Sequence, residues 1–277
     1  MSTQTAQSHQ TTRQRVAVVS IGRSGTSLLA RILHEVLGID FGEEKDHIPR
    51  NHNNPDGYFE NREFLETNER ILAAIRGAVL RPPAADFEAN LAPETRAQLV
   101  ALVAEKLSAY SQGKPCFGWK DPRLSLTFPI WLAAEPGIVP IIVFRDPVSV
   151  LQSIAAQLST EPDKLTGLWF EYYRRIFAYT AATPRLVVSF QQLVSSPLPT
   201  VLAMARHLHI EAQPAEWQAQ LDTIVKPSQV HHKAPEGTPL PAFIDPATAA
   251  LHDYLKGCAA AGTQPTQERL AELFGSR

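Results

Sequence analysis

Short apolar runs, rich in β-branched residues, alternate along the chain with longer stretches in which apolar residues recur every three or four positions. The first run, 15–21 (RVAVVSI), is continuously apolar and stops at Gly22, as a strand covered on both faces reads. Leu28, Leu29, Ile32, Leu33, Val36 and Leu37 then follow at helical spacing and predict a helix over 25–36 that closes near Gly38. Further strands are expected at 115–119, 139–145 and 185–190. Helices are expected at 62–76, 93–111, 147–158, 163–180, 198–209, 247–260 and 264–274, with a short one after 190. Asp146 is a natural helix cap with Pro147 in the first helical position. Strands that alternate with helices imply a parallel sheet with helices on both faces, and ligands of such sheets bind beyond the carboxyl ends of the strands. The residues that follow Ile21, Trp119 and Arg145 are therefore the first place to look for chemistry.

Residues 40–61 are polar, with Pro49, Asn51, Asn53, Asn54, Pro55 and Gly57. A loop that long in a compact domain usually serves a function. Residues 1–13 read as a disordered leader and 14–277 as one domain. The net charge of −2 gives no bulk attraction to nucleic acid, so an anion site must be assembled locally. Cys116 and Cys258 are too few for a disulfide scaffold, and no span-length apolar run or signal segment is present. A cytoplasmic protein without a membrane span is the expectation.

Gly22-Arg23-Ser24-Gly25-Thr26-Ser27 joins the first strand to the first helix. Its glycines permit a tight turn, the free N–H groups opening the helix favour an anion, and Ser24, Thr26 and Ser27 add hydroxyl donors. It is a phosphate-binding loop without the Gly-Lys-Ser/Thr ending of nucleotide triphosphatases. Arg145 sits at the end of the 139–145 strand. Ser153 lies on the following helix, where it can point back to the same crevice, a pair suited to a second phosphate. Lys120, in Gly118-Trp119-Lys120-Asp121-Pro122, is a further cation at a strand end, and Glu60 closes the long polar loop.

The stretch SIGRSGTSLLARIL resembles the 5′-phosphosulfate loop of the sulfotransferase superfamily, in the Arg-Ser-Gly-Thr form of protein-tyrosine, carbohydrate and many bacterial members. Arg145 and Ser153 resemble the family's 3′-phosphate motif. Asn54-Pro55-Asp56-Gly57-Tyr58-Phe59-Glu60 resembles a segment of bacterial members that carries an acidic base. The resemblance implies an α/β, P-loop-containing fold with a parallel central sheet, in a single sulfotransferase domain. It further implies 3′-phosphoadenosine 5′-phosphosulfate (PAPS) as co-substrate, 3′-phosphoadenosine 5′-phosphate (PAP) as product, and no metal requirement. Gly22, Arg23, Ser24, Gly25, Thr26 and Ser27 would hold the phosphosulfate, and Arg145 and Ser153 the 3′-phosphate. Arg23 and Lys120 would stabilise charge in transfer, since tyrosylprotein sulfotransferases carry a similar Lys-Asp-Pro element. Glu60 would be the base, with His47 and His52 as alternatives because cytosolic small-molecule enzymes use histidine. His232 and Lys233, in a basic run near the C-terminus, would close over the donor. The acceptor hydroxyl stays open among glycan, lipid, peptide and small molecule. Two other readings stay open: a P-loop kinase or other nucleotide-dependent transferase, disfavoured by the missing lysine and acidic strand end, and a binding module of the same fold without turnover.

Overall fold

The computed structural model describes residues 14–50, 57–84, 86–226 and 240–275. Four strands, β1 (Gln14–Val19), β2 (Cys116–Lys120), β3 (Ile138–Phe144) and β4 (Leu186–Ser189), form one parallel sheet in the order β2-β1-β3-β4. The expected strands are all present.

Around the sheet run α1 (Thr26–Glu35), α2 (Arg62–Ala74), α3 (Pro93–Tyr110), α4 (Leu124–Ala134), α5 (Pro147–Leu158) and α6 (Leu168–Tyr179). They are followed by α7 (Phe190–Ser195), α8 (Pro197–His207), α9 (Pro214–Ile224), α10 (Pro246–Ala261) and α11 (Gln267–Gly275). Successive residues of β1 face opposite layers. Ala17 and Val19 join a core with α2–α6, α10 and α11, while Val16 and Val18 join one with α1, α8 and α9. Both faces are covered, which is why these strands read as unbroken apolar runs.

Two helices escape the sequence pattern. In α4, every residue from Leu124 to Trp131 is buried, so apolar side chains occur all round and no amphipathic period shows. In α9, only Trp217, Leu221 and Ile224 are buried, a sparse stripe on an otherwise polar segment. The helix expected over 163–180 is interrupted: a 3₁₀ turn, Pro162–Leu165, precedes Gly167, whose φ of 79° caps α6 in the left-handed region.

Chain order leaves β1 to the left for β2 and returns on its right for β3. The crevice between the carboxyl ends of β1 and β3 is therefore the point where the winding reverses, the place where open α/β sheets bind ligands. The ladder ends at Val19–Ile142. Beyond it, the Val143 carbonyl accepts instead from the Ser20 hydroxyl (2.6 Å) and the Tyr173 hydroxyl (2.8 Å), so that carbonyl keeps partners where the strands diverge.

Candidate active site

Three strand ends deliver the cationic residues. After β1 the chain turns through Arg23 (φ 68°) and Gly25 (φ 87°), both left-handed, and enters α1. A non-glycine residue in that region costs roughly 1 kcal/mol or more, a strain concentrated at functional turns. Glycine at 25 is required twice over. Besides the positive φ, a Cβ there would lie 2.1 Å from Phe190 Cδ2.

Arg23 Nε donates to Ser153 Oγ at 2.9 Å, and Arg145 Nη1 donates to the Arg23 carbonyl at 3.1 Å. The two anion motifs thus meet in one crevice. Arg145 is braced on several sides. Its carbonyl accepts from Trp169 Nε1 (3.1 Å), and its guanidinium carbon sits 4.8 Å from the centroid of the Phe190 ring. Burial, then the neighbouring charge of Arg23, disfavour its protonated form against the pull of Asp146. An anionic ligand would relieve that penalty. Asp146 caps α5 as expected, accepting from Val148 and Ser149 backbone N–H groups at 3.2 and 2.9 Å, which orients Ser153 two turns along.

The long polar loop is anchored at both ends. Its start lies along the β2 edge, where Gly118 N–H donates to the Asp40 carbonyl (2.8 Å). A side chain at Gly118 would collide with Phe41. Its end is fastened by Ile48 N–H to the Glu60 carbonyl (2.9 Å), and Asn61 caps α2 by accepting from Glu63 and Phe64 N–H groups. Phe59, at φ 55°, turns the chain so that Glu60 enters the interior. There Lys120 Nζ donates to Glu60 Oε1 at 2.5 Å, with Lys120 only 2% and Glu60 6% exposed. This burial places both side chains in the interior.

Behind Lys120, Asp121 is wholly buried. Burial, then the charge of Glu60, push its carboxyl above the ordinary range, against the pull of Arg123. Its oxygens accept from Asn68 Nδ2 (2.9 Å), Arg123 N–H (2.9 Å) and Arg123 Nη1 (3.1 Å). Asn68 Oδ1 in turn accepts from Thr127 Oγ1 and Trp131 Nε1, so α2 and α4 hold the turn that presents Lys120.

One cavity of about 1180 Å³ takes in Gly22, Arg23, Gly25, Thr26, Ser27, Glu60, Lys120, Arg145 and Ser153. That volume exceeds the roughly 300–1,000 Å³ of a pocket for a single small ligand. Ser24 behaves differently. It is fully buried beside Tyr173, away from the cavity lining, so its side chain faces the core. His47 does not line this cavity: its Nε2 is 2.8 Å from the Phe41 carbonyl and its ring lies against Phe59, in an adjoining pocket of about 190 Å³. His52, His232 and Lys233 lie outside the described residues. Tyr58 and Phe190 line the cavity and were not singled out from sequence. Phe190 follows β4 directly, so the strand-end rule applied to the fourth strand finds it. On α6, Trp169, Tyr172 and Ile176 are fully buried. Among the described residues no cluster of side chains is arranged to hold a metal ion, and no helix is long and apolar enough to cross a membrane.

The parallel sheet carries a crevice lined by Arg23 and Arg145 at its winding reversal. Residues 15–214 match the model of the sulfotransferase family, and the chain belongs to that family. Solved structures similar to it include the sulfotransferase domain of an olefin synthase from Synechococcus PCC 7002, at 17% identity over 99% of both chains with a TM-score of 0.47. A sulfotransferase domain from the curacin biosynthetic pathway is 13% identical over 95% of this chain and 98% of its own, TM-score 0.45. A mouse sulfotransferase complexed with PAP is 10% identical over 96% and 89%, TM-score 0.45. No curated protein matches the chain.

Proposed function

We propose that this protein transfers the sulfuryl group of PAPS to an acceptor hydroxyl. One observation carries the reading: Arg23, Arg145 and Ser153 at the β1–β3 crevice, and the Lys120–Glu60 pair at the end of β2, line a single cavity.

The residues fit a bisphosphorylated nucleotide. The Gly25 cradle and the N-terminus of α1 suit the 5′-phosphosulfate, and Arg145 with Ser153 the 3′-phosphate. When bound, the donor supplies an electrophilic sulfur on a good leaving phosphate. Arg23 neutralises charge that builds on that phosphate, and Lys120 reaches the sulfuryl oxygens from the Glu60 side. The Glu60 carboxylate accepts the proton of the acceptor hydroxyl as its oxygen bonds to sulfur and the sulfur–phosphate oxygen bond breaks. The geometry favours Glu60 over His47 as base, because the histidine faces another pocket.

Calorimetry with PAP, followed by incubation with PAPS and a panel of hydroxyl acceptors with mass detection of sulfated product, tests the reading. Binding of PAP with transfer to one acceptor is expected. Absence of PAP binding overturns it.

A further inference from the structure

Among the described residues four large apolar side chains are exposed: Val79 (38%), Leu80 (47%), Leu158 (44%) and Leu240 (50%). The first three line the cavity described above. Val79 and Leu80 are the two tip residues of a tight turn closed by reciprocal bonds between Ala78 and Arg81, N–H to carbonyl at 2.9 and 3.0 Å. Turn tips are normally Gly, Asn, Asp, Pro or Ser, so two branched aliphatics there place apolar surface in water with no gain to the turn.

The turn is also built in. Tyr172 Oη donates to the Val79 carbonyl at 2.8 Å, and the buried Arg175 donates from Nε and Nη2 to the Pro83 carbonyl at 3.2 and 2.6 Å. Both anchors lie on α6, which also supplies Leu168 to the same cavity. Leu158 ends α5 on the strength of a left-handed cap at Ser159. The cavity thus has supported apolar lining from Val79, Leu80, Leu158 and Leu168, and Glu60 and Lys120 line the same cavity.

We infer that this apolar lining is the acceptor subsite, and that the acceptor is a hydroxyl borne on an extended apolar body rather than a sugar. The inference rests on the sulfuryl-transfer reading, which supplies the hydroxyl. A glycan offers many hydroxyls that would be desolvated against Val79, Leu80 and Leu158 without partners, whereas an apolar alcohol or phenol leaves only one, and that one faces Glu60.

The probe is naphthol, followed by its own fluorescence in the presence of saturating PAP, with methyl glucoside as polar competitor. Wild-type protein should bind naphthol, form naphthyl sulfate when PAPS replaces PAP, and be indifferent to methyl glucoside. The double variant V79S/L80S, at exposed turn positions that accept serine, should weaken naphthol binding roughly tenfold with PAP affinity unchanged. Competition by methyl glucoside, or naphthol affinity indifferent to the double substitution while PAP still binds, overturns the acceptor assignment alone. Absence of PAP binding to the wild type brings down the donor reading, and this assignment with it.

Discussion

Glu60→Gln separates chemistry from architecture. The carboxylate accepts from a lysine ammonium that is 2% exposed, and the glutamine amide oxygen can take the same bond in the same space. The bond to the ammonium survives, but the buried lysine loses its counter-charge, so the exchange should cost stability, though less than the about 3–5 kcal/mol of a buried pair broken outright. For a chain of this size Tm should fall by less than about 20 °C. Truncation to alanine would instead leave a buried cation without its partner, at about 3–5 kcal/mol, and would confound the result. Loss of a general base slows transfer by roughly 10²–10⁴-fold, far more than the loss of stability can explain in a protein that remains folded. The assay is single-turnover transfer from PAPS under saturating acceptor, beside PAP calorimetry and a thermal melt. Glu60→Gln should retain PAP affinity within about twofold while the rate of transfer falls by the amount stated. Transfer within about twofold of wild type, with the melt only slightly lowered, would refute the base assignment.

Arg145→Ala should weaken PAP about ten- to a hundredfold while adenosine 5′-phosphate binding changes little, as loss of a charged hydrogen bond to one phosphate predicts; equal losses for both ligands in calorimetry would contradict its role. Gly25→Ala forces a Cβ into the Phe190 ring at a left-handed φ, so PAP binding and thermal stability should both drop; adding Phe190→Ala should recover part of the stability by removing the clash, leaving the strain of φ 87°. His252, wedged near Phe144 and Trp169, has its imidazole pushed down to about 4, chiefly by burial. The folded state therefore resists a proton that the unfolded chain takes near pH 6.5. The stability this residue supports is present above that pH and is lost as pH falls toward 4, by on the order of 2–3 kcal/mol. Denaturant titrations from pH 7 to 4 should show a shallower decline for His252→Phe; an identical decline would assign the loss to other groups.

Much of the site was legible before any coordinates because each part is announced by local chemistry. A doubly covered strand must be an unbroken apolar run, and 15–21 and 139–145 are such runs. A turn that cradles an anion needs glycine, and Asp146-Pro147 can hardly be anything but a helix start. Local rules also failed where the cause was not local. α4 is buried all round, so it carries no amphipathic signature, and the side chain of Ser24 turns inward to Tyr173 although its loop faces the ligand crevice.

What the amino-acid order determined by itself was the identity of the charged groups and the strand ends they follow, since both depend on neighbours a few positions away. Which of those ends would be adjacent was settled only by the strand order β2-β1-β3-β4, which sets Arg23 against Ser153, 130 positions apart, and Arg145 against the Arg23 carbonyl. The same holds for Lys120 and Glu60, joined across 60 positions, and for Val79, Leu80 and Leu158, which line one cavity. A contact of that span depends on how the whole sheet winds and how the layers pack, and no short stretch of sequence carries that information.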